Sequence, residues 1–199
     1  MNAQLKQLDE KLKMHLDEPR YIHSVGVMYT AAALAMRYGF DMERAMVAGL
    51  LHDCAKCIPS AEKIRLCEEY GLGVSEVERK NPGLLHSKLG AYFLETKYGI
   101  IDEEMQNAIT YHSTGRPQMT LFDKIIYIAD YMEPNREKAP NLAHIRKLAF
   151  EDIDECLFVV LEATLEYLKD NKAAVDPMTE QTYLYYKEKR EQNLRGAFL

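Results

Sequence analysis

The sequence predicts an all-α protein, a helical bundle. Apolar residues recur at three- and four-residue spacing along most of the chain, and the segments so marked are bounded by helix start and stop residues. No stretch shows the strict alternation of a half-buried strand. The first helix spans about 2–15, with Leu5, Leu8 and Leu12 on one face. Pro19 suits the first turn of the second, whose apolar face carries Val25, Val27, Met28, Tyr29, Ala32 and Met36 before Gly39 ends it. Asp41 caps a third helix that reaches His52, and Pro59-Ser60 opens a fourth that runs to Gly71. "NPGLLH" introduces a helix over about 84–98, and Asp102 begins another that runs to about His112. "GRPQMT" reads as a loop, after which Thr120 caps "LFDKIIYIADYM", stopped by Pro134. Two more helices follow at about 141–149 and 152–169, the second with Ile153, Leu157, Val160, Leu161 and Leu168 along one face. "NKAAVDP" breaks the chain before a last helix at about 179–192.

With 199 residues, 47% of them hydrophobic, and only ten glycines and seven prolines, the chain is expected to form one domain with a real core. The expected division is a core at about 18–135 with the C-terminal helices at about 141–192 packed on it. A net charge of −6 argues against a partner made of nucleic acid or anionic membrane. It leaves room for a small anionic substrate, because a metal ion or a Lys/Arg cluster reverses the sign inside one pocket. No apolar run approaches the roughly 18–20 residues of a membrane span, and "MNAQLKQLDEKLK" has no apolar signal core. The expected location is the cytoplasm. An apolar helix face near the C-terminus allows a homodimer, although core packing explains it equally well.

Cys54, Cys57, Cys67 and Cys156 fit reduced thiols packed as small apolar groups. "CAKC" matches C-x-x-C, but a redox site of that kind needs a βαβ setting, and a zinc site needs a second pair at similar spacing.

Several polar residues sit badly with the helices that carry them. His23 lies on the apolar second helix, His52-Asp53 ends the apolar run "AGLLHDCAK", His86 follows two leucines, and His112 ends "NAITYH". Asp130 is the most telling, with Ile126 and Tyr127 one turn back. A buried unpaired carboxylate is expensive, so it should be neutral, ion-paired or bound to a metal. Taken singly, each of these is more often a satisfied core residue. Taken together, they fall on different helices or helix ends, and a bundle can converge them on one cavity. Imidazoles with carboxylates suit iron, manganese, zinc or similar ions, and the lack of a cysteine argues against structural zinc. Six such groups exceed one tetrahedral ion; two ions sharing Asp53 use them all. His15 and His144 lie outside this order and read as surface residues.

The order H…HD…H…H…D resembles that of the HD-domain metal-dependent phosphohydrolases, an all-helical superfamily. "EPRYIHSVGV", "AGLLHDCAK", "NPGLLHSKLGA", "AITYHSTGRPQMTLFDKIIYIADYMEPNR" and "VDPMTEQTYLYY" resemble its YqeK-type family, the symmetrical bis(5'-nucleosyl)-tetraphosphatases. The likeness runs from about Arg20 to Tyr185, and Asp176-Pro177 stands where that family usually has His-Pro. The resemblance implies iron-dependent cleavage of diadenosine tetraphosphate into two ADP, by attack of a metal-bound hydroxide. It further implies that His23, His52, Asp53 and Asp130 hold a core metal, while His86 and His112 hold or border a second metal and the phosphates. Manganese or another divalent ion would substitute for iron. Lys56, Arg20, Arg116 and Arg136 are candidates to meet phosphate charge; each also reads as a solvated surface charge, Arg116 most readily. Ser113 and Thr114 either donate to phosphate oxygens or cap their loop. Three alternatives stay open at this point: another HD-type nucleotidase or phosphodiesterase, a non-catalytic nucleotide-binding regulator, and a helical interaction protein with no site.

Overall fold

The computed structural model describes residues 2–171 and 174–196. Among them are eleven α-helices, one 3-10 turn and no strand. The N-terminal helices are α1 (Ala3–Lys13), α2 (Glu18–Tyr38), α3 (Met42–Leu51), α4 (Ser60–Glu69) and α5 (Glu76–Lys80). A 3-10 turn at Pro82–Leu84 leads into α6 (Leu85–Thr96), followed by α7 (Glu103–Thr110) and α8 (Leu121–Met132). The chain closes with α9 (Leu142–Glu151), α10 (Ile153–Asp170) and α11 (Pro177–Gly196).

The starts follow from side chains that accept otherwise orphaned N–H groups. Asp17, Asp41, Asp102 and Asp152 cap α2, α3, α7 and α10. Thr120 and Asp123 form a reciprocal capping box on α8. Each such cap is worth about 1 kcal/mol. Gly39 ends α2 in the left-handed region at φ +70°, a conformation that costs glycine little. The expected helix boundaries hold to within a few residues. Residues 172 and 173 of the expected break before α11 lie outside the described residues. Helix α5 was not expected: five residues are too short to show a period, although Ser75 and Glu78 carry its capping-box signature.

Helix α8 is the hub, packing on α2, α3, α7, α9 and α10 through Phe122, Ile125, Ile126, Ile128 and Ala129. Helix α2 lies tightly along α3, because Gly49 has no side chain: a Cβ there would sit 2.9 Å from Met28 Cα. The buried face of α2 is Val27, Met28, Ala31, Leu34 and Ala35. Tyr29 and Met36, expected on that face, are 57% and 66% exposed, because the face turned to α3 and α8 is narrower than the apolar stripe. Of the C-terminal helices, α9 and α10 pack on α8, and α11 packs on α10. Helix α11 then braces the loop after α7, where Tyr186 Oη accepts the Met119 N–H at 2.9 Å. No helix of the described residues is long and apolar enough to cross a membrane.

The four cysteines are unpaired: Cys54, Cys67 and Cys156 are buried and Cys57 is exposed. Burial pushes the Cys54 and Cys156 thiols up to about 12 and that of Cys67 up to about 11. A thiol reacts as its thiolate. Brief alkylation of the native protein near pH ~8 should therefore add one label, at Cys57, and alkylation after denaturation should add four, as read by mass spectrometry. Rapid native labelling of Cys54 would contradict this packing.

Candidate metal centre

Three helices and the turns after two others deliver the polar residues to one point. His23 comes from the first half of α2, and Asp130 from the last turn of α8. His52 is the residue at which α3 ends, and Asp53 follows it. His86 is the second residue of α6, and His112 stands two residues beyond α7. All four histidines and Asp53 are buried. His15 and His144 are exposed, as expected.

The rings are oriented by their outer nitrogens. His52 Nδ1–H donates to the Gly49 carbonyl at 2.8 Å, and His112 Nδ1–H to the Ile109 carbonyl at 2.7 Å. His86 Nδ1–H donates to the Gly83 carbonyl in the same three-residue pattern. His23 differs, with Nδ1 3.1 Å from Glu133 Oε1. Fixing the proton on Nδ1 leaves Nε2 as a lone pair, and every Nε2 faces inward.

The inward distances place those lone pairs against anions and against each other. His23 Nε2 lies 3.0 Å from Asp130 Oδ1, and His86 Nε2 lies 3.0 Å from Asp53 Oδ1. His52 Nε2 is 3.5 Å from Asp53 Oδ2 and 3.7 Å from Asp130 Oδ1. His112 Nε2 is 3.6 Å from Asp53 Oδ1 and 3.0 Å from His86 Nε2. Lone pairs this close repel unless a cation lies among them. His23 Nε2, His52 Nε2 and Asp53 Oδ1 are buried with no hydrogen-bond partner, a costly state for a closed polar cluster. The donor set thus fits a divalent cation with N/O preference. His23, His52 and Asp130 present ligand atoms within 4.8 Å of one another, and so do His52, Asp53 and His112.

Burial works to raise the Asp53 and Asp130 carboxyls. The surrounding imidazoles, led by His52 at Asp53 and His23 at Asp130, nevertheless bring both well below the ordinary carboxylate range. Both are anions at neutral pH. Burial pushes His86 down to about 4 against the pull of Asp53, so its ring is neutral and its Nε2 is free to bind.

Cationic side chains stand around this cluster. Arg20 Nη1 reaches Asp53 Oδ2 at 2.7 Å, and Lys56 Nζ lies 3.1 Å from His86 Nε2 and 3.5 Å from Asp53 Oδ1. Arg136 Nη2 lies 3.0 Å from Asp130 Oδ1. All three are about one third exposed, which puts them between the buried centre and solvent. Ser113 Oγ lies 3.2 Å from His112 Nε2 and 3.3 Å from His86 Nε2. Arg116 is elsewhere: its guanidinium is bound to the buried Asp123 at 2.7 Å and holds the loop. Thr114 donates to the Gly115 carbonyl and also serves the loop.

Three residues of the arrangement were missed in the sequence. Ser87 Oγ pairs with Ser113 Oγ at 3.0 Å behind the two histidines. Lys63 is buried, donates to the Lys56 carbonyl at 2.8 Å and fixes the turn that carries Lys56. Glu133 is buried against His23. None has a spacing signal of its own.

The family model for the HD domain matches residues 20–135. The symmetrical bis(5'-nucleosyl)-tetraphosphatase of Bacillus subtilis (strain 168) is 41% identical over 172 residues, covering 86% of this chain and 91% of that protein. The protein of that name from Staphylococcus aureus (strain NCTC 8325 / PS 47) is 36% identical over 87% of this chain and 90% of its own length. A crystal structure from Clostridium acetobutylicum, described as a predicted HD superfamily hydrolase involved in NAD metabolism, superposes with a TM-score of 0.88 at 38% identity. It covers 92% of this chain and 97% of the other. The HD-domain match over residues 20–135, a matching helical frame and relatives aligned along nearly their whole length make this chain a member of the HD-domain family, on its branch of symmetrical bis(5'-nucleosyl)-tetraphosphatases.

Proposed function

We propose that the chain hydrolyses diadenosine tetraphosphate symmetrically, to two ADP, in a metal-dependent reaction. The observation that carries the reading is the span of the Asp53 carboxylate. Its Oδ2 faces Arg20, His23 and His52, while its Oδ1 faces Lys56, His86 and His112. One buried anion thus faces two adjoining sets of imidazole nitrogens. His23, His52, Asp130 and Asp53 Oδ2 would hold one ion, and His86, His112 and Asp53 Oδ1 the second. Iron is the proposed ion, with manganese able to take its place. When bound, such ions polarise phosphoryl oxygens and bring the pKa of coordinated water toward neutrality.

The chain's own groups then do three things. The imidazoles and carboxylates form a largely buried centre at which a polyphosphate is positioned. Lys56, Arg20 and Arg136 meet the negative charge of the phosphates and of the departing ADP. The Ser113 hydroxyl, beside both histidines, donates to a phosphate oxygen. Phosphoryl transfer asks mainly for such positioning and charge compensation. The four unpaired cysteines fit a reducing compartment, and we place the protein in the cytoplasm.

Chromatography of the products from metal-loaded protein and diadenosine tetraphosphate should show ADP alone. AMP with ATP, from off-centre cleavage, would overturn the symmetrical reading.

Lys56→Ala and Arg136→Ala should keep metal yet lower kcat/KM. A charge-assisted phosphate contact contributes about 1.5–3 kcal/mol, hence a loss of about 10- to 100-fold. Unchanged kinetics in both variants would return the two residues to surface charge.

A further inference from the structure

We propose that Glu133 is a positioning residue for the metal centre: it sets the tautomer and orientation of His23, and Gly26 exists to let it approach. This rests on the metal-centre reading above. Three of the four histidines are steered by a backbone carbonyl; His23 alone is steered by a side chain. That side chain is fully engaged. Glu133 Oε2 accepts the Asn135 backbone N–H at 2.7 Å and the Asn135 side-chain Nδ2–H at 3.1 Å, which leaves Oε1 aimed at His23 Nδ1. The turn that carries it is clamped by Arg146 of α9, which donates to the carbonyls of Met132, Glu133 and Arg136. A carboxylate can only accept here, so Nδ1 carries a proton, which leaves Nε2, turned toward Asp130 and His52, as the nitrogen that would bind a metal.

Gly26 is the independent sign of this contact. It lies inside α2, where glycine destabilises a helix relative to alanine. A Cβ at this position would stand 2.3 Å from Glu133 Oε2, 3.1 Å from Glu133 Cδ and 3.2 Å from Asn135 Nδ2. The helix accepts a poor helix former because the carboxylate passes over it to reach His23.

Glu133→Gln tests the role without removing bulk. The two Asn135 donors claim the amide oxygen, so the amide NH2 faces His23 Nδ1. The ring must then accept at Nδ1 and carry its proton on Nε2, where Asp130 Oδ1 is 3.0 Å away. The ligand atom is thereby blocked. Nitrogen-15 NMR of the metal-free full chain should show His23 Nδ1 protonated in the wild type and unprotonated in E133Q. Titration with manganese(II) alone should give about 10- to 100-fold weaker binding in E133Q, with circular dichroism unchanged. Gly26→Ala, whose Cβ pushes the Glu133 carboxylate away from His23, should weaken manganese binding as well, with wild-type circular dichroism at the assay temperature. A protonated Nδ1 in E133Q, or manganese affinity within about twofold of wild type in Gly26→Ala, would overturn the proposal. Failure of the wild type to bind manganese would instead overturn the metal-centre reading, and the tautomer measurement stands apart from that result.

Discussion

The structure depends on one buried carboxylate. Asp53 is enclosed by four imidazoles and two cationic side chains, and its Oδ1 lacks a hydrogen-bond partner. An anion placed so deep is costly unless cations compensate it closely. The surrounding helices supply cationic side chains and imidazoles at fixed points around it. A second carboxylate, Asp130, repeats the requirement on the side of His23, where Arg136 closes the ring of charge.

Helix ends explain how a bundle builds such a centre. The last carbonyls of an α-helix have no partner within it. Gly49 and Ile109 lie in the last turns of α3 and α7, and their carbonyls take the Nδ1–H groups of His52 and His112 three residues on. Gly83, in the 3-10 turn before α6, does the same for His86. Groups that would otherwise go unsatisfied thus fix three ring tautomers. His23, in the body of a helix whose carbonyls are already bonded, has no such acceptor, and Glu133 supplies one.

Much of this was legible in the sequence, for identifiable reasons. Asp130 stood out because nearly everything around it is apolar, and His52-Asp53 because an apolar run ends on them. Pro19, Asp41, Asp102 and Thr120 announced the starts of helices that converge there. What remained hidden depends on contacts between distant segments. Glu133 reaches across 110 positions to His23, and no local pattern encodes that pairing. Arg116 belonged to a matched segment, yet a buried aspartate seven residues on takes its charge. Tyr29 and Met36 continue the apolar period of α2 beyond the width of the face that α3 and α8 cover, and periodicity alone does not say where a neighbouring helix stops.

The central claim is that Asp53 serves two sets of ligands at once, and metal content per chain tests it most directly. Asp53→Ala and His86→Ala, each purified and loaded under identical conditions, should differ by elemental analysis, with circular dichroism as the folding control. His86→Ala retains His23, His52, Asp130 and Asp53, and should keep the ion they hold. Asp53→Ala removes a ligand and a compensating charge from both sets, and should carry almost no metal while its helices remain folded. Equal loss of metal in the two variants would contradict the shared role, and full metal content in Asp53→Ala would remove this carboxylate from the centre altogether.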